Sequence, residues 1–252
     1  MARFRVSVLY YRTFIAPLHC MIQEHLMSPN EKASLLLRTY GYLWLLYIVF
    51  GISIAILSQW YPELTNSEYK QTQIIEMAKS NPFHLLILAC IFAPFVEEMM
   101  FRTLIAPSHS DLILFICSWP VFLGAGYLPE DIHWILRLAF SGVVLFSTYY
   151  ILKQLIPEEV TTTIRNKLSQ FVIPVLVLTA VVFGLVHISN YVTQFTFNIT
   201  LVILIIPQVI AGFMLGWLKL KTKNLGWSIG LHFMNNIVPV MLIIFGNALS
   251  ES

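Results

Sequence analysis

Phe95-Val96-Glu97-Glu98-Met99-Met100-Phe101-Arg102 places two adjacent carboxylates and a guanidinium inside an apolar run from about Phe83 to Ile105. A run of that length can cross a bilayer, and ionisable groups within it are costly enough to be kept mainly for function. The rest of the chain is of the same kind. Of its 252 residues 58% are hydrophobic and 11% charged, and the mean hydropathy is +0.75. A soluble protein carries about a quarter charged residues. The composition therefore predicts an all-α, polytopic transmembrane helix bundle. The net charge of +2 points to no nucleic-acid partner.

Hydropathy predicts about seven spans, near residues 40–60, 83–106, 112–128, 133–155, 171–190, 197–218 and 225–246. The third is short and contains Pro120 and Gly124-Ala125-Gly126. Residues 1–39, with Arg3, Arg5 and Arg12 among apolar neighbours, read as a cytoplasmic amphipathic segment at the membrane surface. Residues 40–252 read as the transmembrane domain, with a motif-bearing core at 83–246.

Lys and Arg fall on alternate connections. One set holds Arg3, Arg5, Arg12, Lys32, Arg38, Lys153, Arg165, Lys167, Lys219, Lys221 and Lys223. The other holds Lys70 and Lys79 among Glu63, Glu68, Glu76, Glu130 and Asp131. The positive-inside rule then puts the N-terminus in the cytoplasm and the C-terminus outside. That orientation depends on the short third span crossing the membrane. Compact loops point to a prokaryotic plasma membrane.

Few polar residues fall well inside the predicted spans: Glu97, Glu98, Arg102, Arg137, His187, His232, Asn235 and Asn236. Glu98 and Arg102, four apart, share a helix face and can pair. Glu97 points about 100° away and has no local cation. His232 and Asn236, again four apart, share a face of the last span. At about 1.5 Å per residue, Glu97, His232 and Asn236 lie about 13, 10 and 16 Å from the cytoplasmic ends of their spans, and His187 about 20–24 Å. Taken singly, each fits a structural role: a self-neutralising cluster, a histidine bonded to a neighbouring helix, a bridging pair. Together they supply a carboxylate, two imidazoles and an amide on three helices. That set suits hydrolysis of an amide by activated water, with hydrogen-bond donors for an oxyanion and no serine or cysteine nucleophile.

Glu97-Glu98-x-x-x-Arg102, Phe183-x-x-x-His187 and His232-x-x-x-Asn236, in that order, resemble the three motifs of the type II CAAX prenyl endopeptidase and bacteriocin-processing intramembrane protease family. The resemblance implies an intramembrane endopeptidase. Glu97 would be the base acting on water with His187 as its partner, and His232 and Asn236 would stabilise the oxyanion. Glu98, Arg102 and Phe183 would support them. No cofactor is required by this reading, although Glu97, His187 and His232 could instead hold zinc. The partners implied are the bilayer and a peptide or protein substrate entering from the membrane or the cytoplasmic side. This chain has a longer connection from Arg102 to His187 than is usual in the family, and Thr103 where a glycine often follows the arginine. The competing reading is a non-catalytic membrane protein that binds a peptide or membrane-protein partner in the same polar cavity.

Other patterns carry less. Gly226-Trp227-Ser228-Ile229-Gly230 matches the nucleophile-elbow pattern but lacks a strand–turn–helix context, and reads as a small-residue helix contact, like Gly212-x-x-x-Gly216. Cys20, Cys90 and Cys117 have no metal-site spacing.

Overall fold

A computed structural model describes residues 27–65, 71–124, 127–129, 131–192 and 198–250. Most of the expected amphipathic segment therefore lies outside the described residues, as do Arg3, Arg5, Arg12, Glu68, Lys70 and Glu130. The chain divides into two compact units, 1–32 and 33–252. In the first, Ser28 and Glu31 form a capping box: the Glu31 carboxylate accepts from the Ser28 amide at 2.7 Å, and the Ser28 hydroxyl accepts from the Glu31 amide at 3.3 Å.

The second unit is an all-helical bundle, with no strand among the described residues. In order the helices are α1 (Pro29–Leu57, its first turn in the first unit), α2 (Thr72–Ser80), α3 (Pro82–Phe101), α4 (His109–Gly124), α5 (Trp134–Leu155), α6 (Glu158–Gln170), α7 (Val172–Val186), α8 (Ile199–Leu204), α9 (Ile206–Thr222) and α10 (Leu225–Ser250). Six stretches are long and apolar enough to cross a membrane: α1, α3, α5, α7 with its following turn, α8–α9 together, and α10. The remaining predicted span, the third, is α4. Its helix runs through Pro120 to Gly124 but spans only 16 residues. The first span begins at Pro29, earlier than the expected residue 40, because the capping box starts the helix there.

Short as it is, α4 connects opposite ends of the bundle. At one end His84, in the first turn of α3, stacks on Trp134 at the start of α5, with ring centroids 4.8 Å apart. At the other, Lys219 near the end of α9 pairs with Asp111 at the start of α4, Nζ to Oδ2 2.9 Å. Beside it Arg165 of α6 donates from Nε to the Pro107 carbonyl at 3.1 Å. The end of α3, the start of α4, α6 and the end of α9 therefore share one end, which also carries Lys153, Arg165, Lys167, Lys219, Lys221 and Lys223. The starts of α3 and α5 lie at the opposite end, with Lys79, Glu76 and Asp131 nearby in sequence. The alternation of Lys and Arg therefore survives the short helix.

Helices α7 and α9 pack closely, for the reason the glycine spacing suggests. A Cβ on Gly212 would lie 3.0 Å from both Cα and O of Ala180, and one on Gly216 would overlap Leu176. Without side chains there, the two backbones close on each other and hold Phe183 fully buried between α3 and α9.

Candidate active site

Helix α3 is not a uniform α-helix. Leu88–Phe92 winds as a π-helix, and Ala93–Phe101 resumes the α form with Pro94 in its first turn. The Ala93 amide bonds the Leu88 carbonyl, five residues back. Pro94 has no N–H, so the Ala89 carbonyl is left without a main-chain donor. The side-chain amide of Asn236 supplies it, donating from Nδ2 at 2.9 Å. One helix's irregularity is thus completed by a side chain from α10. Such π-turns recur at functional sites.

Directly after that irregularity come Glu97 and Glu98, and they face different surroundings. Glu98 has no exposed surface. Its Oε1 accepts from Nδ1 of His232 at 3.0 Å, while Oε2 lies 3.4 Å from Nε of Arg102 and is bonded by the Ser228 hydroxyl. Arg102 is equally buried, and its guanidinium lies over the Phe183 ring, 4.5 Å from the centroid. None of its side-chain nitrogens finds a well-formed hydrogen bond, so its charge is balanced by the carboxylate and the ring face.

Glu97 looks into a cavity of about 550 Å³. Its side chain is 23% exposed and that of His187 19%. Oε2 of Glu97 lies 3.7 Å from Nε2 of His232 and 4.0 Å from Nε2 of His187. His232 therefore bridges the two glutamates, one ring nitrogen to each. His187 caps α7, where the helix tightens into a 3₁₀ turn (His187–Asn190), and its Nδ1 donates to the Phe183 carbonyl at 2.7 Å. A carbonyl can only accept, so Nδ1 carries the hydrogen and Nε2 faces Glu97.

The heights expected for Glu97 and His187 differed by several ångströms. Helix direction closes the gap. Side chains tilt toward the N-terminus of their own helix. Because α3 and α7 run oppositely, Glu97 leans away from the basic end and His187 leans toward it. The two meet between.

Of the residues singled out in the sequence, the structure gathers Glu97, His187 and His232 around one point, with Glu98, Arg102 and Phe183 packed directly behind. Phe183 touches both histidines and the arginine, its centroid 4.5 Å from that of His187 and 5.7 Å from that of His232. Asn236 lines the same cavity, one turn along α10 from His232, and one of its amide hydrogens is engaged at Ala89. Arg137 lies elsewhere, donating from Nε to the Ile132 carbonyl at 3.2 Å.

Two participants escape a reading of the sequence. Ser228 sits in the stretch that resembled a nucleophile elbow, but its hydroxyl serves Glu98. A signal existed: Ser228, His232 and Asn236 are spaced by four and form one stripe. Tyr47 of α1 donates to Oδ1 of Asn235 at 3.0 Å, and Asn235 donates to Oδ1 of Asn236 at 3.2 Å. Nothing local in α1 marks Tyr47 for this role.

Gaps of 3.7 and 4.0 Å are too wide for direct hydrogen bonds and suit groups sharing one water. Ligand atoms about 2.0–2.1 Å from a tetrahedral zinc ion would stand about 3.3 Å apart. The observed spacing is wider, and no group of three His, Cys, Asp or Glu among the described residues is arranged to hold a metal ion.

Compared with known proteins, residues 79–238 match the family model described as type II CAAX prenyl endopeptidase Rce1-like. No curated protein and no solved structure matches the chain. The matched stretch is more than half of the chain and contains all three motifs.

Proposed function

The chain belongs to the Rce1-like family of type II CAAX prenyl endopeptidases, and from that premise we propose that it hydrolyses a peptide bond within the membrane by water activated at Glu97. The observation that carries the reading is the convergence of the Glu97 carboxylate and the Nε2 atoms of His187 and His232 on one water-sized space at the cavity floor.

In this mechanism a water bonded to Oε2 of Glu97 is oriented by Nε2 of His187. As its oxygen attacks the scissile carbonyl carbon, Glu97 takes one of its protons. The carbonyl oxygen gains negative charge and is met by the remaining Nδ2 hydrogen of Asn236 and by His232, which donates from Nε2 when both its nitrogens carry protons. Collapse of the tetrahedral adduct breaks the C–N bond. The proton held by Glu97 passes to the leaving amine, giving an amine and a carboxylic acid, which then ionises, and returning Glu97 to its starting form.

The residues behind the site support this chemistry. Glu98 fixes the ring of His232 through Nδ1, Arg102 balances Glu98, and Phe183 wedges both imidazoles. The proposed mechanism needs no metal ion.

The test is cleavage of peptide libraries by purified protein in detergent, read by mass spectrometry. Wild type should cleave, Glu97→Ala and His187→Ala should not, and a chelator should leave the wild-type rate unchanged. Wild-type turnover in both variants would sink the assignment.

A further inference from the structure

The geometry points to a substrate on the non-cytoplasmic side of the membrane: we propose that the cavity takes an uncharged, largely apolar peptide segment presented at the outer face, such as part of an exported peptide or the outward-facing end of a membrane protein. This rests on the endopeptidase reading and changes the side of entry expected from sequence.

Three observations carry it. The cavity is one-sided along α3, α7, α9 and α10. On α3 its lining runs from Leu85 down to Glu97 and stops; on α10 it runs from Ile243 down to His232 and stops. On α7 and its 3₁₀ turn it takes in Phe183, His187 and Asn190 but nothing nearer the helix start. Glu97, His232 and Phe183 are therefore the floor. The other end of the lining, with Gln71 just before α2 and Met77 within it, lies at the end of the bundle where α3 begins.

The floor is also closed beneath. Met99, Arg102, Leu215, Ser228 and Leu231, between Glu97 and the basic end, have no exposed surface. The lysine–aspartate pair of α9 and α4 lies beyond them, Lys219 only 1% exposed. A peptide approaching from the basic end would meet this packed layer. Approaching from the other end it meets Asn190, which is exposed, and then the partly exposed Glu97 and His187.

Finally, the closed end is the positively charged one. Lys153, Arg165, Lys167, Lys219, Lys221 and Lys223 lie in its short connections and helix ends, and basic residues so placed are retained on the cytoplasmic side. The mouth therefore faces outward. Its lining contains no Lys, Arg or Asp, and mixes amides such as Gln71, Asn190 and Gln208 with Ile74, Met77 and Ile243. Amides suit the backbone of an extended peptide, and the apolar groups suit uncharged side chains.

The experiment has two arms in intact cells, both in a Cys20→Ser background so that the remaining cysteines, Cys90 and Cys117, are buried. In the first, Asn190→Cys and Lys167→Cys proteins are treated with a membrane-impermeant maleimide. Asn190→Cys should label without permeabilisation and Lys167→Cys only after it; the reverse pattern overturns the proposal. In the second, peptide ends are compared between cells expressing wild type and Glu97→Ala. Ends that depend on Glu97 should fall in exported or outward-facing segments, and maleimide on Asn190→Cys should suppress their formation at least tenfold. Ends confined to cytoplasmic tails overturn the proposed substrate and leave the endopeptidase reading intact. Outward labelling with no Glu97-dependent ends overturns the endopeptidase reading, and the substrate with it.

Discussion

Glu97 and Glu98 are consecutive in sequence yet belong to two differently built halves of the bundle. Glu98 faces a sealed half, in which every polar atom near it comes from the protein: a guanidinium, an imidazole and a hydroxyl. Glu97 faces the open half, where its nearest polar neighbours stand a water's width away. A helix turns about 100° per residue, so adjacent carboxylates cannot share one environment. The lesson is that a buried, saturated charge gives rigidity, whereas a charge left short of partners can act on something that enters. His232 joins the halves because its two ring nitrogens point into one each.

The largest expected effect tests the open side. Glu97→Gln keeps shape and removes the base, so kcat should fall by about 10²–10⁴, the range general-base catalysis supplies. Thermal unfolding in detergent should stay near that of wild type, since little that holds the bundle depends on this side chain. A variant that lost activity only by unfolding would erase the distinction between the two halves.

The sealed side should answer in the opposite way. Glu98→Gln leaves Arg102 buried without its counter-charge, and breaking a buried pair costs about 3–5 kcal/mol. Unfolding should be strongly affected, with activity lost alongside as His232 loses its anchor. Glu98→Gln combined with Arg102→Met removes both charges, and should recover much of the stability while recovering little kcat. Stability that fails to return in the double variant would mean that Glu98 acts mainly through His232 and Ser228.

This division was partly legible before any coordinates. Spans could be counted because lipid forces apolar runs and leaves charge only at ends or in cavities. The Glu98–Arg102 pair followed from spacing, and three ordered motifs gathered Glu97, His187 and His232. Ser228 was missed because its spacing of four from His232 was outweighed by a glycine pattern with another familiar meaning. Tyr47 could not be found, since only tertiary packing brings α1 to α10. The one-sided cavity was equally invisible. Which layer between helices is filled depends on how Phe183, Met99, Leu215 and Leu231 interlock, and each of these alone is an ordinary apolar residue.

A smaller effect separates close packing from mere glycine content. At Gly212 an added Cβ meets the Ala180 backbone at 3.0 Å and the Phe183 ring at 3.2 Å, neither of which can move freely. Gly212→Ala should cost about 1–3 kcal/mol and displace the ring that wedges both histidines. Gly41→Ala meets nothing within 4 Å and serves as the control. Chemical denaturation in mixed micelles would compare them; equal stability of the two variants would remove the role assigned to the α7–α9 contact.

Asn236 offers the finest cut, because it belongs to both halves of the comparison: it completes the π-turn of α3 and lines the open cavity. Asn236→Ala leaves the Ala89 carbonyl without a donor, at a cost of about 1–3 kcal/mol. Pro94→Ala restores an amide five residues from that carbonyl, so the double variant should regain stability. If the amide of Asn236 also meets the oxyanion, kcat should stay depressed in the double variant even as the unfolding transition returns toward wild type. Full recovery of both would assign Asn236 to the helix alone and leave His232 as the oxyanion donor. Stabilisation of the carbonyl and stabilisation of the transition state are separable here because only one of them can be supplied by another residue's backbone.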